Sequence, residues 1–331
     1  MIRRMLGLVL AAALAAAPAA AKTVIKLGTF APAGSTYHDV LMDLRQDWAR
    51  ISRGQIELRI YAGGVTGSEG DMIRKMRIGQ LQAATITSGG LPDIDPAFRA
   101  FQVPLMFEST DELHFILDEM RPRLDGILLE HGFRALGWAD AGWLYFFTRR
   151  PVRTPDDLRP QRLFVWAGAA PLVEAWREGG FRPEQLSATD IHTALQSRML
   201  EAIATPPVIA LSNQWFAQVP HMSTLKWAPL MATLVVSERA WSKIPEELRP
   251  LLKDAAGRAA LRMRADIRDI TGEAIAVMKK HGLAVHEVSA ADTELWRRDV
   301  GRFFDPLIGG YIDADMVREI RGRLDAYRAG Y

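Results

Sequence analysis

PVRTPDDLRPQRLFVWAGAAP, residues 151–171, is the stretch from which the fold is read. Thr154 stands where its side chain can accept from the free N–H groups of one helical turn, Pro155-Asp156-Asp157-Leu158. Pro155 suits the first helical position, where its missing N–H costs nothing. A short strand, Arg162–Trp166, follows. Alternation puts Arg162, Phe164 and Trp166 on one face and Leu163 and Val165 on the other. Ala167-Gly168-Ala169-Ala170 lets backbone or ligand approach closely, and a new helix starts there. Turn, strand and helix in quick succession belong to a layered α/β architecture.

The flanking sequence repeats that rhythm. Thr23–Phe30 reads as a strand, and Ser35 as the cap of a helix with the apolar stripe Tyr37, Leu41, Leu44, Trp48 and Ile51. Gly54 ends it, and Gln55–Tyr61 alternates as a second strand. Gly63, Gly64, Gly67 and Gly70 lack the Lys-Ser/Thr of a phosphate loop, so Ser68 and Asp71 are read as a capping box for a helix over 68–78. Ala83–Thr87 is a strand, Glu112–Met120 a helix and Phe133–Trp138 another strand. Ala170–Glu178 is a helix, Ser187 and Asp190 form a second capping box, and Leu211–Val219 is helical. Pro229–Ser237 is a strand apolar enough to be buried on both faces. A helical pattern from Ile244 to about Lys280 far exceeds the usual length of about 11–12 residues. Val285–Val288 is a last strand, before helices at Trp296–Phe304 and Met316–Tyr327.

Several blocks resemble the solute receptors (DctP type) of tripartite ATP-independent periplasmic, or TRAP, transporters. Residues 154–166 resemble "TPEDLKGLKIRVP", and 67–90 resemble "GSERDMLEQVRLGTLDMAVVSSG". The opening resembles "IKLGT…P.GS.YH", and 101–107 resemble "DLPFLF". The resemblance runs from about residue 24 to 280. It implies an α/β, two-domain periplasmic binding protein (type II-like) with a long C-terminal spine helix bridging the domains. The expected division is 22–142 plus 231–266 for one domain and 143–230 plus 267–331 for the other. It also implies that domain closure captures a small organic solute and delivers it to membrane permease subunits. An exported sensor presenting solute to a membrane signalling receptor has the same sequence features.

In that family an arginine of "IRVP" pairs with the solute carboxylate, and here its place is taken by Phe164, with Trp166 at the proline. A second arginine, of "WWENGFR", aligns with Leu144, and an asparagine of the helix-to-strand motif aligns with Thr205. Losing one partner of a buried ion pair costs about 3–5 kcal/mol, so the carboxylate clamp does not survive these changes unaltered. Two readings stay open. In one the solute is still an organic acid and another cation, Arg162 or Arg149, holds it. In the other it is apolar, aromatic or cationic, held between Trp143, Phe164 and Trp166, with Glu69 or Asp140 meeting a polar or positive group. The expected ligand-binding residues are Tyr37, Glu69, Ser88, Asp140, Trp143, Phe164, Trp166, Thr205 and Trp215.

Composition narrows the rest. Of 331 residues 49% are hydrophobic and 24% charged, an ordinary globular balance. Arg3 and Arg4, the apolar run Met5–Ala17 and Ala19-Ala20-Ala21 form a three-part export signal over residues 1–21. Its removal takes two positive charges from a net +2, leaving zero and no electrostatic call for nucleic acid or for membrane insertion after cleavage. With no cysteine there is no thiol nucleophile and no lipid-anchored cysteine. The seven histidines show no metal spacing and no nucleophile elbow is present, so no enzyme activity, metal or cofactor is expected.

Overall fold

The computed structural model describes residues 22–330; the export signal expected at 1–21 lies outside them. The chain opens β1 (Thr23–Gly28), α1 (Thr36–Ile51), β2 (Ile56–Tyr61), α2 (Glu69–Arg77) and β3 (Ala83–Thr87). Ser35 accepts from the His38 N–H at the start of α1. Ser68 and Asp71 form the expected capping box: the Asp71 N–H donates to Oγ of Ser68 (3.1 Å) and the Ser68 N–H to the Asp71 carboxylate (2.8 Å). β1 lies parallel between β2 and β3.

Next come α3 (Thr110–Glu119), α4 (Arg121–Glu130) and β4 (Phe133–Thr148). The strand expected to end at Trp138 thus runs on for ten more residues. It survives because its pairing slips twice, at Ala135/Gly137 and Asp140/Trp143, with Gly142 at φ +96. Such irregularities bend a strand without ending it. α5 (Pro155–Leu158), β5 (Arg162–Trp166) and α6 (Ala170–Glu178) lie where the sequence puts them. At the first of these turns Thr154 and Asp157 form a capping box, with the Asp157 carboxylate accepting from the Thr154 N–H at 2.9 Å. Leu163 and Val165 are buried, while Arg162, Phe164 and Trp166 are not.

β6 (Arg182–Leu186) carries no clear alternation and has no counterpart in the sequence reading. The second expected capping box does not form. The Ser187 hydroxyl pairs with Thr189, and a short turn intervenes before α7 (Ile191–Gln196). After β7 (Ala202–Thr205), the helix expected over 211–219 is displaced. Pro207 starts α8 (Pro207–Ser212), and Gln214 in the left-handed region breaks it before a tight turn at Trp215–Ala217. β8 (His221–Ser223), β9 (Ala228–Ser237), α9 (Glu238–Trp241), α10 (Arg249–Lys280), β10 (Ala284–His286), α11 (Ala290–Phe304) and α12 (Ala314–Arg328) complete the described chain.

Two lobes result. In the first, the order is β2-β1-β3-β9-β4, with β9 antiparallel to both neighbours. In the second, the far end of β4 pairs with β7 and β8, and β5 lies between β7 and β6. One strand therefore belongs to both lobes. The 32-residue α10 is the spine. Its Leu252, Ala255 and Ala256 sit in the first lobe's core with Trp48, and its Met278 sits in the second's with Phe147 and Leu195. Gly137 lets it close on β4, since a Cβ there would lie 3.1 Å from the Ala256 carbonyl. Arg264, almost fully buried, ties spine to strand by donating from Nε to the Trp138 carbonyl at 2.9 Å.

Candidate functional site

A cavity of about 520 Å³ lies between the lobes. The first lobe supplies Phe30, Glu69, the Thr87–Gly89 segment and Gln102. The second supplies β5 from Leu163 to Trp166, Thr205 and Trp215. Strand ends and helix starts meet at this gap, as ligand clefts of α/β folds do.

The β5 rings define one wall. Phe164 and Trp166 pack edge to face with centroids 5.2 Å apart. Trp166 is 39% exposed and lies over Gly89 of the opposite lobe, where a Cβ would come within 3.3 Å of its ring. Bare backbone at Gly89 is what lets the lobes meet there. Trp215, only 9% exposed, faces the cavity, and its indole N–H has no partner among the described residues. A buried donor left unpaired costs about 1–3 kcal/mol, so a rearrangement that brings an acceptor to it on closure is favoured. Thr205 is buried at the end of β7 and also lines the wall.

Glu69 opens α2 and is 5% exposed. It accepts from the Thr87 N–H and hydroxyl, both at 3.0 Å, and makes no ion pair among the described residues. The other two carboxylates buried this deeply are paired, Glu112 with Arg328 at 2.9 Å and Asp140 with His114 at 3.3 Å. Burial is the main cause that pushes the Glu69 carboxyl up to about 7. Gly90 makes room for it: a Cβ there would overlap Oε2. Gly90→Ala is expected to lower stability by about 1–3 kcal/mol, read as a shift of the urea midpoint at unchanged slope.

The structure does not gather every expected residue here. The Trp143 ring lies in the core, its indole N–H donating to Thr110 at 3.1 Å; the β4 irregularity beside Gly142 turns it away from the gap. Tyr37 donates to the Ala141 carbonyl at 2.7 Å and, with Asp140, lines a separate cavity of about 150 Å³ against the spine. Asp140 accepts from the Gly142 N–H and faces His114, so it does not look into the main cavity. Ser88 lines it, with its carbonyl taken by Gln102. The substitute cations are elsewhere. Arg162 donates to the Met199 and Arg198 carbonyls, and Arg149 to the Leu195 carbonyl. Among the described residues, no arginine or lysine lines the cavity. Sequence reasoning missed Trp176 and Trp227, which stack at 5.4 Å under the cavity; nothing in their local sequence sets them apart from core residues.

Comparison with known proteins settles the lineage. The family model described as bacterial extracellular solute-binding protein, family 7 (DctP), matches residues 27–306. The chain belongs to that family. Among its relatives, a solute-binding protein of Chromohalobacter salexigens is 25% identical over 227 residues, 68% of this chain and 67% of that one. The 2,3-diketo-L-gulonate-binding periplasmic protein of Escherichia coli is 22% identical over 241 residues, covering 71% and 72%. A sugar-acid-binding protein of Advenella mimigardefordensis, solved with galactonate, superposes with TM-score 0.87 at 16% identity, covering 92% of this chain and 99% of the other. A TRAP periplasmic solute-binding protein of C. salexigens with bound D-glucuronate gives 0.83 at 20% identity, covering 91% and 98%. This chain is thus a TRAP-type periplasmic solute receptor, not an enzyme. No helix of its described residues is long and apolar enough to cross a membrane.

Proposed function

We propose that this family 7 receptor closes its lobes on a small organic solute and passes it to membrane permease subunits, holding it by ring faces and neutral hydrogen bonds. The observation that carries the solute reading is the cavity wall. Among the described residues it has no arginine or lysine, and Leu144 and Phe164 stand in it where the resemblance implies arginines. The hinge of this reading lies at the Asp140/Trp143 slip of β4. There a Cβ at Gly142 would come within 3.6 Å of Ile267 of the spine and of Pro206 of the second lobe, close to the division expected at 142/143. Binding energy shifts an open–closed equilibrium, and no covalent step is involved.

A second reading keeps an organic acid as solute. The ligands of related proteins favour it, 2,3-diketo-L-gulonate and D-glucuronate among them. In this chain such an acid would rest on backbone donors and on Glu69 in its protonated form.

A thermal-shift screen of protein lacking residues 1–21, spanning carboxylates, aromatics and amines, finds the solute, and small-angle scattering reports closure. Phe164→Ala is expected to weaken the solute found by about tenfold, from lost ring contact. Affinity that is unchanged removes the aromatic part of the proposal. Trp215→Phe keeps the ring and deletes the donor, for a further loss of about five- to tenfold by calorimetry.

A further inference from the structure

We infer that the solute carries a protonated amine, and that Glu69 is the counter-charge waiting for it across an otherwise uncharged aromatic cavity. The inference rests on the receptor reading above and narrows its solute class.

Three observations converge. Among the described residues, Glu69 is the one of the three deeply buried carboxylates with no basic side chain beside it, since Glu112 has Arg328 and Asp140 has His114. Thr87 satisfies its oxygens by hydrogen bonds but leaves a buried charge without a counter-charge, which is unfavourable, so a cation is expected from outside the chain. The cavity also provides ring faces, Phe164, Trp166 and Trp215, of the kind that attract an ammonium. Finally, the lining offers no fixed positive charge to neutralise a carboxylate. Its other titratable groups are the Tyr311 phenol and His192, which is tied to Gln196 at 3.0 Å.

The charge balance gives each solute class its own signature. The groups around Glu69 are few. Asp93 adjoins the first turn of α2, Asp71 is held by Ser68 on the same helix, and Tyr37 with Asp140 line the small cavity whose wall Glu69 shares. From β1, β3, β9 and α8, with the loop after β1, the residues that line these cavities alongside Glu69 include Phe30, Thr85, Thr87, Leu230 and Ile209, and none of those elements contributes a charged side chain to either lining. An amine binds the ionised carboxylate. Below about pH 7 it must therefore displace one proton from Glu69, and its affinity rises by up to tenfold per pH unit toward neutrality. A carboxylate binds only the protonated acid, so its affinity falls above pH 7. A neutral solute shows neither trend at full strength.

The test uses matched probes on the protein lacking residues 1–21: 2-phenylethylamine, 2-phenylethanol and phenylacetate, with the tryptamine, indole-3-ethanol and indole-3-acetate set beside them. Calorimetry between pH 5.5 and 8.5, in buffers of different ionisation enthalpy, reads affinity and proton release together. The expected result is amine preference in at least one set, release approaching one proton at pH 6, and a loss on the order of a hundredfold in Glu69→Gln. The pH trend of the unmodified protein keeps the test decisive should that variant fold poorly. The inference is overturned if no amine is preferred, if the acid of a set binds best, or if Glu69→Gln binds the amine unchanged. Closure on phenylacetate without amine preference removes this inference alone. Absence of compaction with these probes and with the wider screen removes the receptor reading itself.

Discussion

Raised from pH 4.5 to pH 8, the ligand-free protein is expected to lose stability that Glu69→Gln keeps, with the gap between them growing by about 3 kcal/mol. Glu69 is folded into a site where burial holds its carboxyl near 7, against about 4.5 in an unfolded chain. Its folded pKa is the higher one, so the folded state holds the extra proton between those values. The contribution is complete below about pH 4.5 and is gone once the pH has passed about 7. Roughly 2.5 pH units between the two values, at about 1.4 kcal/mol each, give the magnitude. The glutamine variant has no proton to lose at this position, and its amide can keep the bonds to Thr87. Other carboxyls, such as Asp71 and Asp157, are held low, so their contributions are lost as pH falls through the acid range. Urea denaturation of both proteins at half-unit pH steps isolates the Glu69 part as a difference curve. Parallel curves would show that the folded carboxyl titrates as it does in the unfolded chain.

Arg264→Ala is expected to cost about 2–4 kcal/mol at neutral pH. The guanidinium is 5% exposed and joins three elements: the spine that carries it, the Trp138 carbonyl on β4 at 2.9 Å and Asp118 at the end of α3 at 2.8 Å. Truncation strands a buried carbonyl, for about 1–3 kcal/mol, and removes the packed methylene stem. Asp118 is half exposed and recovers much of its hydration, so it adds little. Arg264→Lys is expected to rescue less than half, because a single ammonium does not reproduce the two-directional fork. The urea midpoint measures both, and an Arg264→Ala midpoint within error of the parent would remove the strut from the account of the fold. The same strut fixes the spine to β4 a few residues before the Asp140/Trp143 slip. Arg264→Ala is therefore also expected to broaden the open–closed distribution seen by scattering.

Locally coded features were legible. The caps at Ser35 and Ser68, the bounds of β3, β5 and α6 and the end of the spine at Lys280 follow from residues close in sequence, although the spine starts at Arg249 rather than Ile244 because a tight turn at Glu246–Leu248 precedes it. So does the alternation that buries Leu163 and Val165. Failures came where distant partners decide. β4 extends past Trp138 because β9, β7 and β8 each pair with part of it. β6 is a strand because it adds an edge to β5, whatever its own pattern. Trp143 and Trp166 look alike in sequence, yet one fills the core and the other meets Gly89 at the mouth of the cleft.

The amino-acid order by itself determined the family scaffold, the absence of cysteine chemistry, and the replacement of two expected basic contacts by Leu144 and Phe164. These are matters of residue identity and short-range pattern, which need no partner to be read. Only the tertiary structure decided that, among the described residues, no other cation enters the cavity, Glu69 alone of the deeply buried carboxylates is unpaired, and Trp215 keeps a free N–H. Whether a charge or a donor is satisfied depends on what folds against it from far along the chain.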